Sequence, residues 1–162
     1  GMFDTVVAND AMEHFADPVG AVREMARVTK PGGAVWFFFT PHFSPLGSHL
    51  YDYVYTPWCH LLFSRESLRR AIREVLKTRN GGMPDEAAAK KLDAIMYSYD
   101  NDLNHMSIRR YRRIVKEVPG FKMAFEELKP AKFRVLDFTT RIPLLRELFT
   151  GTVVCRLERV DG

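Results

Sequence analysis

Two short apolar runs flank a segment with helical spacing near the start of the chain. The runs cover residues 6–8 and 35–39, and they predict two buried β-strands. Asp17-Pro18 predicts the start of a helix between them, because aspartate accepts hydrogen bonds from free amides and proline lacks an amide hydrogen. The breakers at residues 30–33 predict its end. The pattern therefore predicts two parallel strands joined by one right-handed helical crossover.

Both predicted strands are nearly continuous in apolar side chains, which predicts a sheet that is covered on both faces. In sheets of this kind, ligands bind beyond the carboxyl ends of the strands. These ends correspond to the turns at residues 8–12 and 40–42, where we expect the functional site.

The remainder of the chain alternates predicted helices with two further strands. Caps and apolar stripes predict helices that begin near residues 64, 84, 107 and 142. Alternation predicts strands at residues 121–126 and 152–158, residues 98–105 are predicted as a polar loop, and residues 129–140 have no clear pattern. We expect a single domain over residues 1–162, with residues 42–106 forming a loop and helical insertion within it.

Composition narrows the possible classes of protein. The chain has 162 residues, 46% of them hydrophobic, which is enough for one core. Its net charge of +4 is mild, and the arginine-rich helix after Ser107 is expected to be a solvated face, so no nucleic acid is expected as a partner. The longest apolar run, residues 34–39, is too short to span a bilayer, so no membrane is expected either. Cys59 and Cys155 lie far apart, which predicts reduced, buried thiols and a cytoplasmic location.

Three motifs carry a resemblance to a known family: Phe3-Asp4-x-Val-Val-x-Asn9-Asp10-x-Met12-Glu13-His14, Asp17-Pro18, and Arg27-Val28-x-Lys30-Pro31-Gly32-Gly33. Their order and spacing resemble the region from the fourth to the fifth strand of class I S-adenosylmethionine-dependent methyltransferases. The resemblance implies an α/β fold with a partial Rossmann-like sheet and a helical insertion. The sheet would contain the family's fourth, fifth, seventh and sixth strands, with the seventh antiparallel between the fifth and the sixth.

The sequence departs from the family at its start. The family's glycine-rich cofactor loop, and the acidic residue that holds the ribose hydroxyls, both lie N-terminal to the fourth strand, and no Gly-x-Gly-x-x-Gly occurs in this chain. We therefore expect a truncated domain that corresponds to the C-terminal half of the family, with an S-adenosyl-L-methionine pocket that lacks one wall. The first strand would then have an open edge, which predicts a homo-oligomer or docking with a missing N-terminal half.

The resemblance also implies roles for individual residues. The candidate bases for a small-molecule acceptor are His14 first and His42 second. The residues implied to border the cofactor are Ala8, Asn9, Asp10, Ala11 and Met12. The residues implied to contact the acceptor are Tyr51, Trp58 and His105. Two structural alternatives stay open: Glu13-His14 could simply tie down backbone at a helix start, and the aromatic residues could cover the edge of the sheet.

Three functions remain open from the sequence. The first is methyl transfer to an oxygen, nitrogen or carbon of a small acceptor. The second is a non-catalytic methyltransferase-like domain that associates with another chain. The third is a metal-dependent hydrolase built on His42, His49 and His60, but their spacings of seven and eleven residues match no regular ligand pattern, so no metal site is expected.

Overall fold

A computed structural model describes residues 1–131 and 134–160. Within these residues the chain forms a mixed α/β fold, as predicted. The elements in chain order are β1 (Phe3–Asn9), α1 (Pro18–Val28), β2 (Thr29–Phe39), α2 (Cys59–Leu62), α3 (Arg65–Thr78), α4 (Asp85–Asn101), α5 (Ile108–Glu117), β3 (Phe121–Pro130), α6 (Pro143–Phe149) and β4 (Thr150–Arg159). Short 3-10 turns lie at Arg79–Gly81 and Arg134–Arg141.

The four described strands form one sheet in the order β1-β2-β4-β3. β1 and β2 are parallel and are connected by α1, so the predicted crossover is confirmed. β4 is the last strand in the chain, yet it lies antiparallel between β2 and β3. This order is the one that the resemblance implies for the family's fourth, fifth, seventh and sixth strands.

The crossover helix begins and ends for local reasons. The Asp17 carboxylate accepts a hydrogen bond from the Gly20 amide at 2.9 Å, as the capping pattern predicts. β2 starts at Thr29, earlier than the predicted residue 35, so residues 30–33 lie inside the strand rather than in a turn. The pairing register with β1 is irregular here, and Gly32 has a φ of +75°, a backbone conformation that glycine adopts at little cost.

The two faces of the sheet differ in their cover. On one face, alternate residues of β1, β2 and β4 pack against α1 and α5 and form the main core, which includes Val22, Val35, Phe37, Phe39, Tyr111, Ile114, Val153, Cys155 and Leu157. On the other face, Val7 is 61% exposed, Phe125 is exposed, and Trp36 and Phe38 are half-buried against one another. The expectation of a sheet covered on both faces is therefore wrong for the described residues. The helices α1 and α5 bury one face of the sheet, and the other face stays partly exposed.

A second, smaller core lies outside the sheet. Leu50 and Cys59 pack with the apolar faces of α3 and α4. Ion pairs from Lys77 to Asp85 and from Arg69 to Asp93 join the two helices at 2.8 and 2.5 Å. This core falls within the predicted insertion at residues 42–106. The polar loop predicted from residue 98 is shorter than expected, because α4 continues through Asn101.

Other features of the chain agree with its composition. Cys59 and Cys155 are buried free thiols, as predicted. The solvated face predicted for the basic helix α5 is present only in part: Arg109, Arg113 and Lys116 are exposed. Arg112 instead binds Glu126, and Arg110 binds the carbonyl of Asn104. Over the described part of the chain, no helix has the length and apolar character needed to cross a membrane.

Candidate functional site

The carboxyl ends of β1 and β2 lie side by side at one edge of the sheet. Asn9 pairs with Phe38 in the parallel ladder, and the Asp10 amide donates to the Phe38 carbonyl at 2.8 Å. Asp10 then turns away with a φ of +46°, a left-handed conformation that aspartate tolerates better than most residues. The two predicted functional turns therefore meet at the position where sheets of this type bind ligands.

The five residues expected to border a cofactor divide into two groups. Asn9 and Asp10 expose their side chains at the tip of β1, where the Asn9 amide donates to the Asp10 carboxylate at 2.9 Å. Ala8 and Met12 are buried in the main core, and Ala11 packs against it. Only the first pair offers polar side chains to a ligand, and the other three form an apolar base beneath them.

Glu13 is a buried carboxylate at this edge. It is 3% exposed, and burial raises the pKa of its side chain above the ordinary value. Its Oε1 accepts a long hydrogen bond of 3.5 Å from the Thr40 amide, while Oε2 is buried without a hydrogen-bond partner among the described residues. Its backbone carbonyl accepts from the Asn104 amide at 2.8 Å. Glu13 thus joins the ends of both strands and retains an unused carboxylate oxygen.

His14 is exposed next to Glu13. Its Nδ1 lies 2.9 Å from the backbone carbonyl of Asp102. Because a carbonyl can only accept, Nδ1 carries the hydrogen, and in this tautomer the lone pair is on Nε2. This lone pair is free to accept a proton or to bind a cation.

His49 comes to the same place from the loop after β2. Its Nε2 lies 3.8 Å from Oε1 of Glu13, and its ring centroid lies 5.1 Å from that of His14. Burial is the main cause that lowers the pKa of His49, and the neighbouring His14 lowers it further. We call Glu13, His14 and His49 the carboxylate cluster. Its ligand atoms, one from each side chain, all lie within 4.8 Å of one another.

A shallow cleft opens beside the carboxylate cluster. Besides His14 and His49 it is lined by Ser48, Leu50, Asp52, Tyr53, Ile95, Ser98, Tyr99 and Leu103. Its volume of about 220 Å³ is below the roughly 300 Å³ at which typical small-molecule pockets begin. The cleft alone therefore accommodates a small group or an ion rather than a whole nucleoside cofactor.

The other three histidines form a separate group, which we call the histidine stack. The ring of His42 lies 4.3 Å from that of His105 and 5.0 Å from that of His60. His60 Nε2 donates to the His42 carbonyl at 2.7 Å. Burial, helped by the two neighbouring imidazoles, lowers the pKa of His42 to about 4. At neutral pH His42 is therefore uncharged and a weak base.

The structure does not bring His42, His49 and His60 together. His49 belongs to the carboxylate cluster and the other two belong to the histidine stack, so the hydrolase built on all three has no common centre. Among the residues that the structure describes, the carboxylate cluster is the only place where three ligand atoms of histidine, cysteine or carboxylate side chains lie within 4.8 Å of one another.

The residues expected to contact an acceptor are dispersed. Trp58 donates its indole N–H to the Leu148 carbonyl at 2.9 Å and packs on Phe149, which anchors the loop to α6. Tyr51 is exposed and contacts Tyr55. His105 is exposed and lies on His42. The tyrosines that line the cleft are Tyr53 and Tyr99 instead. The contact between His49 and Glu13 beside the cleft could not be predicted from the sequence, because no regular spacing relates these two residues.

Comparison with known proteins supports the resemblance. The family model described as a methyltransferase domain matches residues 1–37. The chain is similar to a chain of the complex between the Haloferax volcanii Trm112 methyltransferase activator and a candidate methyltransferase, with 15% identity and a TM-score of 0.49 over 99% of this chain and 55% of that chain. It is also similar to a candidate methyltransferase of Bacillus halodurans C-125, with 12% identity and a TM-score of 0.47 over 99% of this chain and 65% of that chain.

A further similar structure is PKMT2 of Rickettsia typhi in complex with AdoHcy, with 8% identity and a TM-score of 0.45 over 100% of this chain and 36% of that chain. No curated protein matches the chain significantly. The chain thus spans between about a third and two thirds of the length of these solved chains. The predicted resemblance to methyltransferases is confirmed over residues 1–37.

Proposed function

We propose that this chain is part of an S-adenosylmethionine-dependent methyltransferase that acts on a small-molecule acceptor. The observation that carries the proposal is the coincidence of two facts. The methyltransferase-domain match covers β1, α1 and β2 as far as residue 37, and this crossover places Asn9 and Asp10 at the carboxyl edge of the sheet. That edge is where sheets of this type bind nucleotide-like ligands.

The residues at the tip of β1 fit one side of such a cofactor. Asn9 and Asp10 present an amide and a carboxylate outward, and the buried side chains of Ala8 and Met12 give the turn a rigid base. When bound, S-adenosylmethionine supplies an electrophilic methyl group on a sulfonium. The chain contains no Gly-x-Gly-x-x-Gly, so the other side of the cofactor would need residues from elsewhere.

In this proposal the chain positions the acceptor and removes its proton. His14 is the better base of the two candidates, because its Nε2 lone pair is free and its ring lies in the cleft. His42 is less suited, since its pKa near 4 makes it a weak proton acceptor. His105 and Tyr51 are exposed and remain candidate acceptor contacts, whereas the indole N–H of Trp58 is already bonded to Leu148.

A calorimetric titration of the full chain with S-adenosylmethionine tests the proposal. We expect micromolar binding, and a roughly tenfold loss of affinity in Asp10→Ala, the loss typical of one hydrogen bond to a charged group. Asp4→Ala is the matched control, because Asp4 lies at the opposite end of β1 and pairs with Lys30 at 2.9 Å. Absence of heat with the wild-type chain would contradict binding by this chain alone.

A second function is favoured by the open surface of the sheet. β1 pairs with β2 on one side, and no other described strand pairs with its second side. The face that carries Val7, Trp36, Phe38 and Phe125 is also partly exposed. An open edge next to an apolar face is suited to pairing with another polypeptide. The alternative is therefore a non-catalytic domain that associates with a second copy or with a separate N-terminal half.

Sedimentation of the chain over a range of concentrations tests this alternative. Self-association through β1 should be lost in Val7→Lys, because a lysine at the edge would have to be desolvated. Tyr97→Lys is the control, since Tyr97 is 65% exposed on α4 and lies outside the sheet. A monomer at all concentrations would exclude the second copy and leave only the separate half as a partner.

We also propose a cytoplasmic location. The support is the pair of free, buried thiols at Cys59 and Cys155, which suits a reducing compartment. Fractionation of cells that contain a tagged protein would test this, and secretion of the protein would contradict it.

A further inference from the structure

The carboxylate cluster has the donor set of a metal site. Two imidazoles and one carboxylate supply three ligands, and one ligand atom from each lies within 4.8 Å of the others. Nitrogen and oxygen ligands about 2 Å from a common ion lie roughly 3 to 4 Å apart. The Nε2 of His49 and the Oε1 of Glu13, at 3.8 Å, already have this separation.

The second sphere of the cluster is also in place. Histidines that bind metals usually donate their other ring nitrogen to a carbonyl or carboxylate, which fixes the tautomer. His14 has this arrangement, because its Nδ1 donates to the Asp102 carbonyl and leaves Nε2 as the ligand atom. The adjacent Asn104 fixes the same loop by donating from its side chain to the carbonyls of Met12 and Phe15 at 2.8 and 2.9 Å.

Glu13 provides the second, independent observation. Its side chain is only 4% exposed, and Oε2 has no hydrogen-bond partner among the described residues. A buried carboxylate oxygen without a hydrogen-bond partner is costly, and a bound cation is one way to stabilise it. Asp10 and Asp52 add negative charge near His49, which further favours a cation at this position.

We propose that Glu13, His14 and His49 bind one divalent transition-metal ion. Imidazole ligands favour Zn²⁺ over Ca²⁺ and Mg²⁺, which prefer an all-oxygen shell, while the Glu13 carboxylate is a ligand that also suits Mn²⁺. Three protein ligands leave coordination positions open on the side of the cleft. The inference rests on the geometry of the cluster and does not depend on methyl transfer.

The proposed metal competes with the proposed base. The lone pair on His14 Nε2 cannot bind a metal ion and accept a proton at the same time. In the metal-loaded protein His14 is therefore a ligand, and any proton from an acceptor must go to another group. Metal binding and binding of S-adenosylmethionine can be measured separately, so failure of one proposal leaves the other intact.

Calorimetric titration of the metal-free full chain with ZnCl₂, MnCl₂ and MgCl₂ tests the inference. We expect one Zn²⁺ or Mn²⁺ per chain, much weaker Mg²⁺ binding, and at least a hundredfold loss of affinity in His49→Gln and in Glu13→Gln. His60→Gln is the matched control, because it removes a histidine from the histidine stack and should leave the affinity unchanged. Circular dichroism of each variant checks that it is folded.

A spectroscopic measurement assigns the ligands directly. Mn²⁺ should broaden the imidazole NMR signals of His14 and His49 before those of His42, His60 and His105. Absence of Zn²⁺ and Mn²⁺ binding would overturn the proposal. Binding that survives in His49→Gln, or that His60→Gln weakens equally, would overturn it as well.

Discussion

The carboxylate cluster and the histidine stack together contain all five histidines of the chain, yet their chemistry differs. In the carboxylate cluster, His14 and His49 face a buried glutamate, and one ring nitrogen of His14 is held by a backbone carbonyl. In the histidine stack, His42 lies between two other imidazoles, and its pKa falls to about 4. The first group is arranged to attract a cation, whereas the second is arranged to stay neutral.

The difference shows that the surroundings of a histidine, more than its exposure, decide what it can do. His42, His49 and His60 are all partly buried, and burial lowers the pKa of each. Only His49 has a carboxylate within 4 Å that could help it share a cation. Within the stack, His42 and His60 therefore pack the loop after β2 against the segment before α5, whereas the carboxylate cluster has the charge and the unused carboxylate oxygen suited to a cation.

The largest expected effect concerns the pH dependence of the histidine stack. The pKa of His42 is about 4 in the folded chain and near 6.5 when unfolded, so its contribution to stability is present above pH 6.5 and is lost as the pH falls toward 4. Between pH 7 and pH 5 the loss from His42 should be about 2 kcal/mol. Urea unfolding at both pH values should show this loss in the wild type and a correspondingly smaller one in His42→Gln.

A direct NMR titration of the imidazole signals provides the check on this prediction. If His42 titrates close to 6.5 in the folded chain, the stack is not a neutral group and the comparison fails.

The next effect tests the residue that joins the two groups. Asn104 donates two side-chain hydrogen bonds to the turn that carries Glu13 and His14, and it directly precedes His105 of the stack. Asn104→Ala should lower the free energy of unfolding by about 1.5 kcal/mol, because two hydrogen bonds to partly buried carbonyls are lost. Asn101→Ala is the control, since the exposed Asn101 side chain donates to the Tyr97 carbonyl within α4 and touches neither group of histidines. Equal effects of the two substitutions would show that Asn104 does not hold the groups together.

The smallest expected effect concerns how much the buried carboxylate of Glu13 lowers the free energy of unfolding. Burial raises the pKa of Glu13 above 4.5, so its charge destabilises the metal-free fold at neutral pH. Glu13→Gln should therefore raise the free energy of unfolding by roughly 1 kcal/mol at pH 7. The gain should disappear below pH 4.5, where the carboxyl is protonated in both the folded and the unfolded state. Chemical denaturation in the presence of a chelator measures the difference, and a loss of stability at pH 7 would mean that the charge is already satisfied.

Most of the fold could be predicted from local patterns. Asp17, Ser64 and Ser107 all cap the helices predicted to follow them, because capping depends on a few neighbouring residues. The crossover between β1 and β2 follows from the helical spacing between two apolar runs. The place of β4 between β2 and β3 came from the family resemblance, since no local pattern specifies which strands become neighbours.

The site could be predicted only in part. The position of the turn at residues 8–12 follows from the end of β1, and the role of His14 as a base remains a prediction. The approach of His49 to Glu13 depends on a loop with a φ of +56° at His49. The grouping of His42 with His60 and His105 is equally a matter of tertiary packing. The continuous apolar run in β2 predicted that both faces of the strand would be buried. This prediction went too far, because Trp36 and Phe38 are apolar but only partly buried.

The positions of the two tryptophans give the protein a built-in optical probe. Trp36 lies on the open sheet face between Phe38 and Phe125, whereas Trp58 is fixed by its bond to Leu148. In a Trp58→Phe variant, all indole emission would come from Trp36. A blue shift of that emission on mixing with another polypeptide would reveal, without any label, that the face has been covered.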